Sequence, residues 1–399
     1  MRILFVVPYI PSLIRVRSYN LIRTLAALGQ RVHLVALQPP EDRHASIDNL
    51  RDFCEQVDVF PLSRARTLWN ALTALPSRLP LQAAYSHHPQ AEGHLRRLVK
   101  TGQFDVAHIE HLRGAVLAEA LIGIPRVFDS VDSIAYLFEQ AGRLAPRLGQ
   151  RLVARIDLGR TRRFEARAPT RFERTLVTSA IDAQAIQSLA GDRVGGRIAL
   201  LPNGVDLNYF SPSGTAPDPA TVLFSGKMSY HANVAAALYL GHEIMPRVWR
   251  QRPDAKLMIA GKDPMPAIRA LSADPRVVVT GFVDDLRPTF ARATLAVSPL
   301  LYGAGTQYKV LEAMASGVPV VATRRVVGGL QARSGQDLLV GESADQFAQH
   351  ILNLIDDPAL RRRIGSAGRQ YVERYHNWTG IVRGLIDIYQ GVAANGAIL

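Results

Sequence analysis

The sequence predicts an α/β protein of two Rossmann-like domains, each a parallel sheet covered by helices. Three observations carry this. Short apolar runs with strand character alternate with helical stretches along the chain, the pattern of parallel sheets with helices on both faces. The runs fall into two sets, divided by the turn Pro202-Asn203-Gly204-Val205-Asp206 and a Pro/Ser/Gly/Asp linker from Ser211 to Pro219. The length of 399 residues suits two or three domains, and a hydrophobic fraction of 48% is enough for two cores.

Taken in order, the first set of strand-like runs is Ile3–Val7, Val32–Leu37, Val57–Phe60, Phe104–Ile109, Arg126–Phe128 and Leu176–Ser179. Leu21, Ile22, Leu25 and Leu28 share one helical face, which Gly29 closes. The second set is Thr221–Ser225, Lys256–Ala260, Val277–Thr280, Thr294–Ser298 and Val318–Ala322. No apolar run is long enough to span a bilayer. The run after Met1-Arg2 is too short for a signal peptide and reads as a first strand. The one cysteine, Cys54, excludes an internal disulfide and reads as a small buried hydrophobe. A cytoplasmic protein is expected.

The most informative stretch is Gly303 to Thr323, GAGTQYKVLEAMASGVPVVAT. Gly303-Ala304-Gly305-Thr306 is a loop whose glycines permit a sharp bend and close ligand approach, and Thr306 can cap the helix that follows. A helix start with free N–H groups attracts anions. Lys309 and Glu312, three residues apart, share a face. Val310, Leu311, Met314 and Ala315 supply the buried face. A phosphate site beside one carboxylate suggests a nucleotide, with phosphates on the loop and Lys309 and ribose hydroxyls on Glu312.

This stretch resembles the donor-binding core of family 4 glycosyltransferases, closest to bacterial sugar transferases associated with exopolysaccharide synthesis. Every specified position of their G-x-G-T-x-x-K-x-L-E-A-M-A-x-G-x-P-V-V pattern is present. The resemblance implies the GT-B fold, two Rossmann-like domains facing a central cleft. It implies an acceptor-side domain over 1–205, a nucleotide-sugar domain over 206–375, and a C-terminal helix over 376–399 that crosses back. It further implies donor contacts from Gly226, Phe282, Val283, Gly303, Ala304, Gly305, Thr306, Lys309, Leu311 and Glu312. Lys227 after strand Thr221–Ser225 matches the family's diphosphate-binding cation. The second Lys found in many members is Ala232 here, and Lys309 supplies that charge instead. Many members carry a second glutamate separated from Glu312 by seven residues, and that position is Ala304 in this chain.

The first half matches less well. Arg15 and Arg17 follow the first strand, where many members have a Gly-Gly pair. They either bind an anionic donor or acceptor or are solvated. His108 and Glu110, with His111, end another strand in a segment like the family's D-x-x-H, and are acceptor-side candidates. Asp132 matches the acid of a His-Asp pair, whereas the aligned His is Val131; Asp132 is a catalytic candidate beside Lys227 and Lys309. Asp284 and Asp285 precede a helix and read as caps rather than metal ligands. Lys262 lies either in the crevice or on a surface turn.

The formal charge is +13. No nucleic-acid module is visible and aromatic residues do not interleave with the basic ones, so nucleic acid is not an expected partner. Arg143, Arg147, Arg151 and Arg155 recur every four residues in the stretch Arg143–Arg174. That basic amphipathic helix either lies on an anionic membrane or is a solvated domain face. The expected activity is retaining, metal-independent transfer of a sugar from a nucleotide-sugar to a glycan or lipid-linked acceptor, with no cofactor. The alternatives are a nucleotide-sugar epimerase or phosphorylase of the same fold, a degenerate non-catalytic binding protein, and a nucleic-acid-binding protein.

Overall fold

The computed structural model describes residues 1–13, 15–144, 148–191, 194, 196–302 and 307–396, with backbone alone at 141–144, 148–155 and 395–396. The chain forms two compact units, Met1–Pro202 with Trp378–Leu399, and Asn203–Asn377.

The strands of the first unit are β1 (Arg2–Val7), β2 (Arg31–Gln38), β3 (Gln56–Pro61), β4 (Val106–Glu110), β5 (Arg126–Val131), β6 (Arg174–Val177) and β7 (Ile198–Leu200). They pair in the order β3-β2-β1-β4-β5-β6-β7, every pair parallel. Ile3 to Val7 are fully buried, which is why β1 reads as continuous apolar residues rather than an alternation. Helix Val16–Ala27 buries Leu21, Ile22 and Leu25, and the chain leaves it through Gly29 at φ +77°. Helix Trp378–Gly396 packs on that helix and on β4.

The second unit holds β8 (Thr221–Ser225), β9 (Lys256–Ala260), β10 (Val277–Gly281), β11 (Leu295–Ser298), β12 (Val320–Ala322) and β13 (Leu339–Val340). Their order is β10-β9-β8-β11-β12-β13, again all parallel. In each sheet the strand order reverses beside the first strand, between β1 and β4 and between β8 and β11. Such switch points open a crevice at the carboxyl ends of the strands, where α/β sheets bind ligands. Helix Tyr308–Ala315 buries Val310, Leu311, Met314 and Ala315, as its spacing predicts.

The pattern does not reveal β7 and β13, which are three and two residues long. It also places some strand starts early, at Phe104 and Val318, because flanking apolar residues are buried without pairing. Cys54 is half-buried, and burial pushes its thiol up to about 12. Among the described residues no helix is long and apolar enough to cross a membrane.

Three glycines hold the carboxyl edge of the second sheet together. Gly226, Gly261 and Gly281 end β8, β9 and β10 at φ +145°, +148° and +73°. Gly226 N–H donates to Ala260 O and Gly261 N–H to Gly281 O, both at 3.0 Å. A Cβ on Gly261 would lie 1.7 Å from Gly226 O. Gly261→Ala therefore pushes apart the turn that carries Lys227. It is expected to destabilise the unit by about 3 kcal/mol, from overpacking and a left-handed φ together. Denaturant unfolding checks this, and an unchanged midpoint would refute it.

Candidate functional site

The switch point of the second unit gathers the residues on which the family motif falls. Lys309, in the first turn of helix Tyr308–Ala315, is half-buried and turns its ammonium back over β8. Its Nζ donates to Asn233 Oδ1 and lies 4.7 Å above the Phe224 ring. Asn233 Nδ2 in turn donates to Lys227 O at 2.9 Å. A Cβ on Gly226 would sit 3.2 Å from Lys309 Nζ, so Gly226 leaves the space that the ammonium occupies. Asn233 thus ties the Gly226-Lys227 turn to Lys309. The Lys227 side chain itself is exposed.

Burial pulls the Lys309 ammonium down to about 7, opposed by the charge of Glu312. Burial pushes the half-buried Glu312 carboxyl up to about 7, opposed by Lys309. Each charge favours the ionised form of the other, while the bond to Asn233 places the ammonium. His231 stacks on Tyr302, ring centroids 5.3 Å apart and 9° from parallel, with His231 Nδ1 3.1 Å from the Tyr302 hydroxyl. Along the chain, His231 follows β8 and Tyr302 follows β11. Burial lowers the imidazole's pKa.

Gly303, Ala304, Gly305 and Thr306 lie outside the described residues. Phe282 is exposed and Val283 half-buried beyond β10. Leu311 has its side chain fully buried in the core, and its N–H is directed to Gln307 O. Asp285 accepts the Arg287 N–H and pairs with that guanidinium, which holds its carboxyl well below the usual range. It acts as a cap. Lys262 O accepts Met228 N–H at 2.9 Å, so that segment braces the β8 turn.

In the first unit the expected residues meet at the ends of β1, β4 and β5, but with different roles. Arg17 is buried. Its guanidinium donates to Asp129 Oδ2 at 2.9 Å and to the carbonyls of Leu201 and Pro202 at 3.0 and 3.3 Å. The structure thus corrects Arg17 from an acceptor-side ligand to a buried tie between β5 and the segment after β7. His108 lies flat on Phe5 with centroids 4.2 Å apart, and its Nδ1 is 2.8 Å from the Tyr389 hydroxyl. Burial and Arg17 hold this imidazole neutral, down to about 3. It too is structural, fastening helix Trp378–Gly396 to β4.

Glu110 is fully buried and takes a hydrogen bond from the Tyr9 hydroxyl on Oε1, while Oε2 has no partner among the described residues. Burial and then Asp129 push its carboxyl up to about 7. Arg15 lies over the Tyr9 ring at 4.8 Å with Asp42 at 3.9 Å, and is the more accessible cation. Asp132 is half-buried, with Thr178 Oγ1 donating to it at 3.1 Å. Burial and then Asp182 push it up to about 7. Asn233, Tyr302 and Tyr389 did not stand out in the sequence, and Tyr9 and Asp129 had no role assigned there. The visible signal was a lone Asn in the alanine-rich helix after β8; for Tyr389, 281 residues from His108, there was none.

Among the described residues one group could hold a metal ion, His33, Asp58 and His94 in the first unit. Asp58 Oδ2 lies 2.7 Å from Nε2 of each imidazole. The buried Nδ1 of His33 has no partner among the described residues. As a metal ligand through Nε2, His33 would carry an unsatisfied buried N–H there. The group reads better as one carboxylate accepting two N–H bonds.

Two family models match the chain, Glycosyltransferase Family 4 over residues 14–209 and Glycosyl transferases group 1 over residues 219–357. The chain belongs to the family 4 glycosyltransferases. It is 30% identical over 212 residues to a GDP-mannose-dependent monoacylated alpha-(1-6)-phosphatidylinositol monomannoside mannosyltransferase of Corynebacterium glutamicum, covering 48% of this chain and 55% of that one. The chain spans about half the length of the curated relatives it matches. Sucrose-phosphate synthase from Thermosynechococcus elongatus shares the fold at TM-score 0.69 and 19% identity, over 99% of this chain and 100% of that one. The Anabaena protein HepE in complex with UDP and glucose does so at TM-score 0.68 and 15% identity, over 98% and 100%. The fold is GT-B.

Two outcomes follow for this family 4 chain. Arg17→Ala leaves Asp129 buried without its cation and is expected to cost about 3–5 kcal/mol of stability. Arg15→Ala removes a partly exposed contact and costs no more than about 1 kcal/mol. Equal losses in chemical denaturation would contradict these roles. The second outcome concerns protons. A diphosphate favours the charged ammonium and so raises the pKa of Lys309 from about 7. Binding of UDP near pH 8 should take up a fraction of a proton, and affinity should fall as pH rises above 7. Calorimetry in buffers of differing ionisation heat measures the uptake, and Lys309→Met should abolish it. Zero uptake in the wild type would remove Lys309 from the phosphate site.

Proposed function

We propose that this chain transfers a sugar from a nucleoside diphosphate sugar to a glycan or lipid-linked acceptor, with retention at the anomeric carbon. The observation that carries the reading is the Lys309 ammonium, held by Asn233 beside the Lys227 turn at the switch point of the second unit. Lys227 and Lys309 would meet the diphosphate. The N–H groups of Gly303 to Thr306 would complete that site, and Glu312 would accept ribose hydroxyls. As the glycosidic bond to phosphate breaks, negative charge grows on the leaving diphosphate, and fixed cations stabilise it best where water is scarce. The acceptor hydroxyl adds to the anomeric carbon and its proton passes to the departing phosphate oxygen, so no protein nucleophile enters.

The names of relatives support the substrate class. The Corynebacterium relative is GDP-mannose-dependent and acts on a phosphatidylinositol mannoside, and the Anabaena neighbour holds UDP and glucose. A role in exopolysaccharide or other cell-surface glycan synthesis, at the inner face of the cytoplasmic membrane, is the setting in which such donors and a lipid-linked acceptor meet. With lysines as the diphosphate's counter-charge, the reaction needs no metal. Glu110, Asp132 and Arg15 of the first unit are the proposed acceptor-side groups.

The test begins with a screen of UDP-, GDP- and ADP-sugars for thermal stabilisation, since a ligand that binds the folded state alone raises its apparent stability. Product formation with the stabilising donor should then fall on the order of a hundredfold in Lys227→Ala and in Lys309→Ala, and should survive EDTA. Turnover within twofold of wild type in both variants would sink the assignment. Loss with EDTA and recovery with magnesium or manganese would return Asp284 and Asp285 as ligands.

A further inference from the structure

Helix Arg64–Thr73 of the first unit has its polar side facing in. A surface helix ordinarily buries its apolar stripe. Here the buried positions are Thr67 and Asn70. Asn70 Nδ2 donates to the carbonyls of Tyr85 and His87 at 3.3 and 2.8 Å, and Thr67 Oγ1 to Arg64 O at 2.8 Å. The outward residues Leu68, Trp69 and Leu72 are 63%, 65% and 52% exposed, with Leu75 just beyond at 50%. At about 100° per residue, these residues centre opposite Thr67 and Asn70, and Arg64 and Arg66 fall on the two flanks.

The stretch of chain that carries this ridge bears charge of one sign. From Val59 to Ala91 there is no Asp or Glu, while Arg64, Arg66 and Arg78 are exposed. The basic stretch Arg143–Arg174 is only partly described. Arg147 lies outside the described residues, and the side chains of Arg143, Arg151 and Arg155 lie outside the description. Among those described, Arg160 donates to Leu75 O, Arg162 pairs with Glu139 and Arg171 with Glu119.

We propose that helix Arg64–Thr73, with Leu75, is the surface by which this protein docks on an anionic lipid leaflet. Tryptophan and leucine side chains enter the headgroup–acyl boundary, and guanidinium groups on both flanks meet lipid phosphates. The inward bonds of Asn70 keep the helix fixed to the unit while its apolar side faces the lipid. From the proposed function this borrows only the expectation that the acceptor is lipid-linked. It is tested without any sugar transfer.

The experiment uses the full chain with vesicles of phosphatidylglycerol and phosphatidylcholine, and of phosphatidylcholine alone, at low and high salt. The anionic vesicles should co-sediment the protein at low salt and shift Trp69 emission to the blue. Trp69→Phe should remove the shift, because Trp249 is half-buried and Trp378 buried. Trp69→Ala/Leu72→Ala should weaken anionic-vesicle binding by about tenfold or more, and Arg64→Ser/Arg66→Ser by about tenfold at low salt. Both should keep the wild-type melting temperature and UDP affinity. Equal binding to neutral vesicles, or unchanged binding by the double variants, would overturn the proposal. So would a dimer in sedimentation velocity that Trp69→Ala/Leu72→Ala dissociates, since a second copy would then own the ridge. Vesicle binding without sugar transfer to any acceptor would overturn the proposed function and leave this surface standing.

Discussion

Both units depend on parallel strands buried on two faces. Such strands use their backbone groups in pairing and their side chains in the core, so polar chemistry is left to the carboxyl ends, where the order reverses. Charges that converge there are partly stripped of water. That one constraint accounts for the displaced pKa values of Lys309, Glu312, Glu110 and Asp132, in each of which burial is the leading cause. It also explains why so many neighbours are fixed groups. Asn233 holds Lys309, Tyr9 holds Glu110, and Arg17 holds Asp129.

The two switch points are built alike and charged differently. The second unit presents cations beside glycine turns, one of which leaves the space that the Lys309 ammonium fills. The first presents carboxylic acids around one buried guanidinium. With Glu110 and Asp132 held near 7, their folded-state pKa values stand above the unfolded ones. The stability they contribute is complete below the ordinary carboxylate range and is lost as pH rises through about 7. Glu165 belongs to the same cluster but is better satisfied. It accepts Ser133 Oγ and the N–H groups of Ile134 and Ala135, so it caps helix Ile134–Leu144. Among the described residues Glu110 Oε2 has no donor, so Glu110 is the less satisfied of the two acids.

What the sequence made legible was local. The apolar runs gave β1 and β8 through β12 within a residue or two, and the spacing of Val310, Leu311, Met314 and Ala315 gave the buried side of the helix that carries Lys309. The glycine-rich motif drew attention to Lys309 itself. What stayed hidden was set by distance along the chain. Arg17 meets Asp129 across 112 residues and Leu201 across 184, so a cation after a first strand looked free when it was not. The helix Arg64–Thr73 failed to show itself for another reason. Periodicity reports two sides of a helix, but it cannot say that Asn70 finds two carbonyls inside and leaves Trp69 outside.

Val131 shows how such hidden pairing shapes a site. A β-branched residue at φ +67° is strained, and it ends β5 immediately before Asp132. Its N–H is taken by Asp129 Oδ1 at 3.1 Å and its carbonyl by the N–H of Thr178 at 2.8 Å. Asp129 can accept from Val131 on one oxygen because Arg17 occupies the other. The buried ion pair therefore does more than hold two segments together. It orients the carboxylate that keeps the strand end in its left-handed turn, and the next residue, Asp132, accepts from Thr178 Oγ1. Removing Arg17 would release the strain at Val131 together with the alignment of Asp132, which is why the first-unit acids are better understood as one connected arrangement than as separate candidates.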